Sequence, residues 1–133
     1  MSQENVEIVR LGYERLNDGD IDGVLELCNT DIEFRDLPDL PDSGVFIGHD
    51  GVRDWLAKLL DASDDLRFEP EEFIDAPGDR VVVVNHATAR GKGSGAKVEM
   101  HFTSVWTLSD AKVIRHIAYG DHAEALEAAG LSE

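Results

Sequence analysis

Apolar positions change their spacing along the chain, from helical in the first third to alternating in the last. Val6, Val9, Tyr13 and Leu16 recur at helical intervals and predict a helix over 4–17. Asn17-Asp18-Gly19-Asp20 breaks it. Asp20 then caps a second helix whose stripe is Ile21, Val24, Leu25 and Cys28. Asp31 to Leu37 alternates like a strand, with Ile32, Phe34 and Asp36 on one face. Pro38 and Pro41 force a loop. Asp50 opens a third helix with the stripe Val52, Trp55, Leu56, Leu59 and Leu60. Leu66 to Asp75 reads as a strand weakened by Pro70, and Ala76-Pro77-Gly78-Asp79 as a turn. Strands follow over 80–91, 96–108 and 112–121, then a helix over 122–129 that ends at Gly130. Helices first and strands later indicate an α+β domain rather than repeated βαβ units.

The turns set a register for the last three strands. A two-residue loop at Gly93-Ser94 places Val81 opposite Trp106, Val83 opposite Ser104, Asn85 opposite Phe102 and His86 opposite His101. A two-residue loop at Asp110-Ala111 places Phe102 opposite Tyr119, Ser104 opposite Ile117 and Trp106 opposite Arg115. Paired residues share a face. One face then carries Val81, Val83, Asn85, Ala87, Met100, Phe102, Ser104, Trp106, Arg115, Ile117 and Tyr119. It is apolar and aromatic with a few polar groups, and should meet the helices. The other carries Val82, Val84, His86, Thr88, Glu99, His101, Thr103, Val105 and His116, and is open to solvent or a partner. A one-residue slip in either turn would exchange the two faces.

Ala87 and Ala89 leave room on the inner face, and Tyr13 and Trp55 approach it from helices. A concave apolar surface with a few convergent polar groups is the usual form of a ligand site. Asp36, Asn85, Ser104, Arg115 and Tyr119 are those groups, with Tyr13, Phe34, Trp55, Phe102 and Trp106 as wall. The competing reading is a filled core whose polar atoms satisfy one another.

The chain has 133 residues, the size of one domain spanning 1–133, and a formal net charge of −16. Such a charge repels phosphate backbones and anionic membranes, so nucleic acid and membrane are poor partners. No apolar run approaches the ~20 residues of a membrane span. Cys28 is the only cysteine, and the N-terminus does not read as a signal peptide, which together suggest the cytoplasm. His86 and His101 lack a third ligand, and no zinc motif occurs, so no metal and no cofactor is expected. Gly91-Lys92-Gly93-Ser94-Gly95 reads as a hairpin turn, not a phosphate loop. Trp106 over Arg115 offers a cation–π pair or a structural stack. Ser104 has no histidine on its own face in this register, which argues against a serine nucleophile.

Three segments carry a family likeness: Leu16-Asn17-Asp18-Gly19-Asp20-Ile21-Asp22, Gly48-His49-Asp50-Gly51-Val52, and Val105-Trp106-Thr107-Leu108 leading into Tyr119-Gly120-Asp121 and Glu124 to Gly130. From about Val6 to Leu131 the chain resembles the SnoaL-like polyketide cyclase and ketosteroid isomerase branch of the nuclear-transport-factor-2-like superfamily. The resemblance implies a cone-shaped, cystatin-like α+β fold: a curved mixed or antiparallel sheet wrapped by three to four helices around a pocket. It implies a homodimer through the outer sheet face, and cofactor-independent acid–base chemistry as isomerase, cyclase or hydrolase. The isomerase's general base falls on Asp36, chemically suited to shuttle a proton. Its tyrosine falls on Gly12 and its protonated aspartate on Ser104, so both enolate donors are missing, with Tyr13 one residue away. An epoxide hydrolase would need two carboxylates and an arginine, for which Asp36 and Arg115 stand, with Asp121 either second or capping the last helix. Three readings stay open: acid–base catalysis on a small apolar organic molecule with Asp36 as base, binding without turnover, and a dimerisation domain with a filled pocket.

Overall fold

A computed structural model describes residues 2–37 and 44–131. The chain runs α1 (Ser2–Asn17), α2 (Ile21–Glu26), β1 (Cys28–Arg35), β2 (Val45–Ile47), α3 (Gly48–Ala62), β3 (Ser63–Ala76), β4 (Arg80–Gly91), β5 (Lys97–Ser109), β6 (Lys112–Tyr119) and α4 (His122–Ala128). Among the described residues no helix is long and apolar enough to cross a membrane. The predicted loop at Pro38 and Pro41 lies outside the described residues.

The six strands form one sheet in the order β2-β1-β6-β5-β4-β3. It is mixed, because β1 runs parallel to β6 and the other neighbours are antiparallel. α1 and α3 pack on the concave face, so Val9, Tyr13, Ile32, Phe34, Trp55 and Val83 meet in one core. Asn17, at the end of α1, ties that helix to β3: its Nδ2 donates to the Phe68 carbonyl (2.7 Å) and its Oδ1 accepts from the Phe68 amide (2.8 Å). Pro70 sits beside a register shift in β3, an edge strand, where a missing N–H costs little.

The β4–β5 register is as expected, with Val81 opposite Trp106, Asn85 opposite Phe102 and His86 opposite His101. Its turn is wider than the two residues expected: the Gly91 amide donates to the Ala96 carbonyl and the Gly95 amide to the Gly91 carbonyl, each at 2.9 Å. The β5–β6 register is not. The turn pairs Ser109 with Lys112, and Asp110 and Ala111 have φ of 51° and 63°, as a two-residue primed turn requires. After Leu108 opposite Val113, however, the pairing shifts by one residue, and Thr107 lies opposite Arg115. Ile114 is the extra residue of a bulge. Beyond it every side chain of β6 changes face. Trp106 therefore lies opposite His116, and Ser104 opposite Ala118.

Four further expectations are corrected. Cys28 opens β1 rather than lying on the α2 stripe. Leu60, placed on the apolar stripe of α3, is exposed. The short edge strand β2 was not anticipated. Val82 and Val105, assigned to the open outer face, are buried beneath Ala125 and Ala129 of α4. Asp121 caps that helix, its Oδ1 accepting from the amides of Ala123 (2.9 Å) and Glu124 (3.3 Å), and Gly130 ends it at φ 80°. The uncovered part of the outer face centres on His86 and His101, whose rings stack at 4.5 Å with Glu99 2.8 Å from His86 Nε2.

Candidate ligand-binding pocket

Between α1, α3 and the concave sheet lies a cavity of about 120 Å3. Its wall is overwhelmingly apolar and aromatic. β1 contributes Phe34, α3 contributes Trp55, α1 contributes Tyr13, and β5 contributes Phe102, Ser104 and Trp106. No lysine or arginine lines it among the described residues, and Asp36 is the one acidic side chain there.

Asp36 follows β1 and keeps the inward phase set by Ile32 and Phe34. Trp55 Nε1 donates to its Oδ2 at 2.8 Å, and the Leu37 amide donates to its Oδ1 at 2.8 Å. The indole bond joins α3 to the end of β1 and fixes the carboxylate on the cavity wall. Phe34 packs against Trp55 with ring centroids 4.3 Å apart.

The polar floor lies on β4, β5 and β6. Asn85, fully buried behind the wall, donates from Nδ2 to Ser104 Oγ (3.1 Å) and to the Val83 carbonyl (3.2 Å). Ser104 Oγ is 2.9 Å from His116 Nε2. Trp106 Nε1 donates to the Tyr13 hydroxyl at 3.3 Å. His116 is held between Phe34 and Trp106, each with its centroid 4.2 Å away. Burial pushes the His116 pKa down to about 3, opposed weakly by the Arg35 backbone, so the ring is neutral at physiological pH. Burial pushes Tyr13 up to about 12, offset in part by Trp106, Ser104 and Asn85, so it stays a protonated donor.

Three sequence-predicted groups do not line the cavity. Asn85, on the expected face, is fully buried behind the wall. Arg115 and Tyr119 belong to the shifted part of β6. Arg115 is exposed and pairs with Glu33 at 3.5 Å, so no Trp106–Arg115 cation–π pair forms. Tyr119 packs beside α4. In their place stands His116, which was assigned to the outer face, and it gives Ser104 the histidine neighbour thought to be absent. The signal was Arg115 itself: an arginine on an apolar face without a carboxylate partner is costly, and one bulge removes that cost.

Cys28 also lines the cavity, its thiol donating to the Val24 carbonyl at 3.4 Å. Burial pushes its pKa up to about 11 against the pull of Lys112. A thiol-specific reagent should therefore label the native protein slowly and reach one equivalent only on unfolding. Prompt labelling at neutral pH would contradict this burial.

No curated protein matches the chain. Among solved structures it is similar to TerC, co-crystallised with polyporic acid, at 29% identity over 93% of this chain and 96% of TerC, with a TM-score of 0.78. An NTF2-like protein from Burkholderia xenovorans LB400 is 29% identical over 97% of this chain and 98% of its own, with a TM-score of 0.75. An NTF2-like protein of unknown function from Burkholderia pseudomallei K96243 is 25% identical over 95% and 97%, with a TM-score of 0.79. The family model for the SnoaL-like domain matches residues 9–116. With that span and the mixed curved sheet over an aromatic cavity, the chain belongs to the SnoaL-like domain family.

Proposed function

We propose that this protein holds a small, mostly apolar organic molecule in the aromatic cavity, and that Asp36 exchanges a proton with it without a cofactor. The carrying observation is one oriented carboxylate on an otherwise apolar wall. A carboxylate fixed by an indole N–H is positioned to act as a general base, and the protonated Tyr13 hydroxyl on the wall suits an oxygen that gains charge as the proton leaves. The crystallisation of TerC with polyporic acid supports a small-molecule occupant. The exposed position of Arg115 and the capping role of Asp121 argue against hydrolysis by two carboxylates and an arginine. One observation favours binding without turnover: both oxygens of Asp36 already accept hydrogen bonds within the fold.

A panel of enolisable cyclic ketones incubated with the protein in deuterated water separates the two. Catalysis predicts loss of the α-proton signal, slowed by roughly 10²–10⁴-fold in Asp36→Asn. Asparagine keeps an oxygen for Trp55 and gives up only the bond from the Leu37 amide, so the fold and any binding should survive. Exchange equally fast in Asp36→Asn, or ketones bound with no exchange, would contradict a catalytic Asp36.

A further inference from the structure

Tyr13, Cys28, Asp36 and His116 are the titratable side chains on the cavity wall among the described residues. Three of them are uncharged at neutral pH, because burial pushes Tyr13 up to about 12, Cys28 up to about 11 and His116 down to about 3. Asp36 is left as the one ionic group of the cavity. Among the described residues no lysine or arginine lines the wall, and none forms an ion pair with Asp36. Neutral groups hold the carboxylate instead: Trp55 Nε1 donates to Oδ2 and the Leu37 amide to Oδ1, both at 2.8 Å. These bonds orient the charge without cancelling it. An ionised carboxylate has about four acceptor positions, so each oxygen can take a second donor. A carboxylate against an apolar wall is ordinarily paired with a cation. The wall supplies none, so the counter-charge has to come with the occupant.

The surroundings favour the same sign. Phe34, Trp55, Phe102 and Trp106 build the wall, and the face of an aromatic ring attracts a cation and disfavours an anion. Indole is the strongest such partner, and donation of its N–H to Asp36 leaves the Trp55 ring more electron-rich. Beside the cavity, a depression of about 280 Å3 shares Leu16, Leu66 and Phe68 with it and carries Asp64 and Asp65 but no lysine or arginine among the described residues. Arg90 stands 3.9 Å from Asp65. The net charge of −16 draws cations to the surface and repels anions. Size sets the rest of the ligand. The cavity holds about 120 Å3, and an engineered apolar cavity of about 150 Å3 takes up benzene, so a single small ring suits it.

We propose that the cavity selects small organic cations: a protonated amine on a compact apolar body, its N–H groups donating to the Asp36 carboxylate and its charged nitrogen lying against the aromatic wall. This rests on the cavity being a small-molecule site, and holds whether or not Asp36 turns its occupant over.

The chain has two tryptophans, Trp55 and Trp106, and both line the cavity, so tryptophan emission reports occupancy. The probes are piperidine, tetrahydropyran and cyclopentanecarboxylate. At neutral pH they are a cation, an uncharged ether and an anion of similar size, and none absorbs where tryptophan is excited. Piperidine is expected to bind roughly tenfold or more tighter than tetrahydropyran, and cyclopentanecarboxylate not to bind. In Asp36→Asn, tetrahydropyran should bind as before while the piperidine advantage shrinks to less than about threefold. The three-probe comparison on the wild type decides the matter by itself if Asp36→Asn does not fold. Tetrahydropyran binding as tightly as piperidine, an advantage that survives in folded Asp36→Asn, or saturable binding of cyclopentanecarboxylate would each overturn the cation selectivity while leaving the cavity reading intact. No response to any of the three would overturn the cavity reading and the selectivity with it.

Discussion

Phe34→Ala is expected to destabilise the protein by about 3–5 kcal/mol, a fall in Tm of roughly 10–20 °C. Phe34 is 4% exposed and stands where three elements meet. Its ring lies 4.3 Å from Trp55 on α3, 4.2 Å from His116 on β6 and 6.3 Å from Trp106 on β5. Truncation removes the ring's burial and leaves a void already continuous with the cavity, which the rigid indoles cannot fill by small shifts. Phe46, only half-buried on β2, provides the control and should cost clearly less as alanine. Chemical denaturation of both variants decides the matter. A cost below about 1 kcal/mol for Phe34→Ala would mean that the ring is not the keystone its contacts suggest.

His116→Phe should change how stability depends on pH. Burial lowers the His116 pKa from 6.5 to about 3 in the folded state. The unfolded chain therefore binds more protons than the folded one between those values, so stability is present above about 6.5 and is lost as pH falls toward 3. The contribution to the slope approaches about 1.4 kcal/mol per pH unit within that window. Phenylalanine preserves the stack between Phe34 and Trp106 but cannot take a proton. It also strips Ser104 of its partner, a cost that does not vary with pH. The acidic residues titrate in both proteins and cancel in the difference. Denaturation curves from pH 7 to 4 should thus converge as pH falls, with the wild type losing more. Parallel curves would place His116 in contact with solvent.

Much of the fold was legible because its signals are local. The stripe of α1, the cap at Asp20 and the β4–β5 register all follow from residue spacing and turn chemistry. Tyr13, Phe34, Asp36, Trp55 and Trp106 could be placed on the cavity wall from phase alone. The β5–β6 pairing could not, because one extra residue at Ile114 shifts everything beyond it, and neither valine nor isoleucine announces a bulge. That shift exchanged Arg115 for His116 and changed the floor from a cationic site to a neutral one. β2 escaped notice because three residues after a proline-containing stretch carry no period. Cys28 was misplaced because an apolar residue seven positions after Ile21 fits a helical stripe as well as the first residue of a strand.

The central claim is that the space between Phe34, Trp55, Trp106 and His116 is a real chamber with the Asp36 carboxylate on its wall. A crystal structure of the protein soaked with phenol tests it most directly. The expected map shows one ring in the cavity and Asp36 still bonded to Trp55 Nε1. A cavity closed by side chains, with Asp36 turned to solvent, would contradict the account.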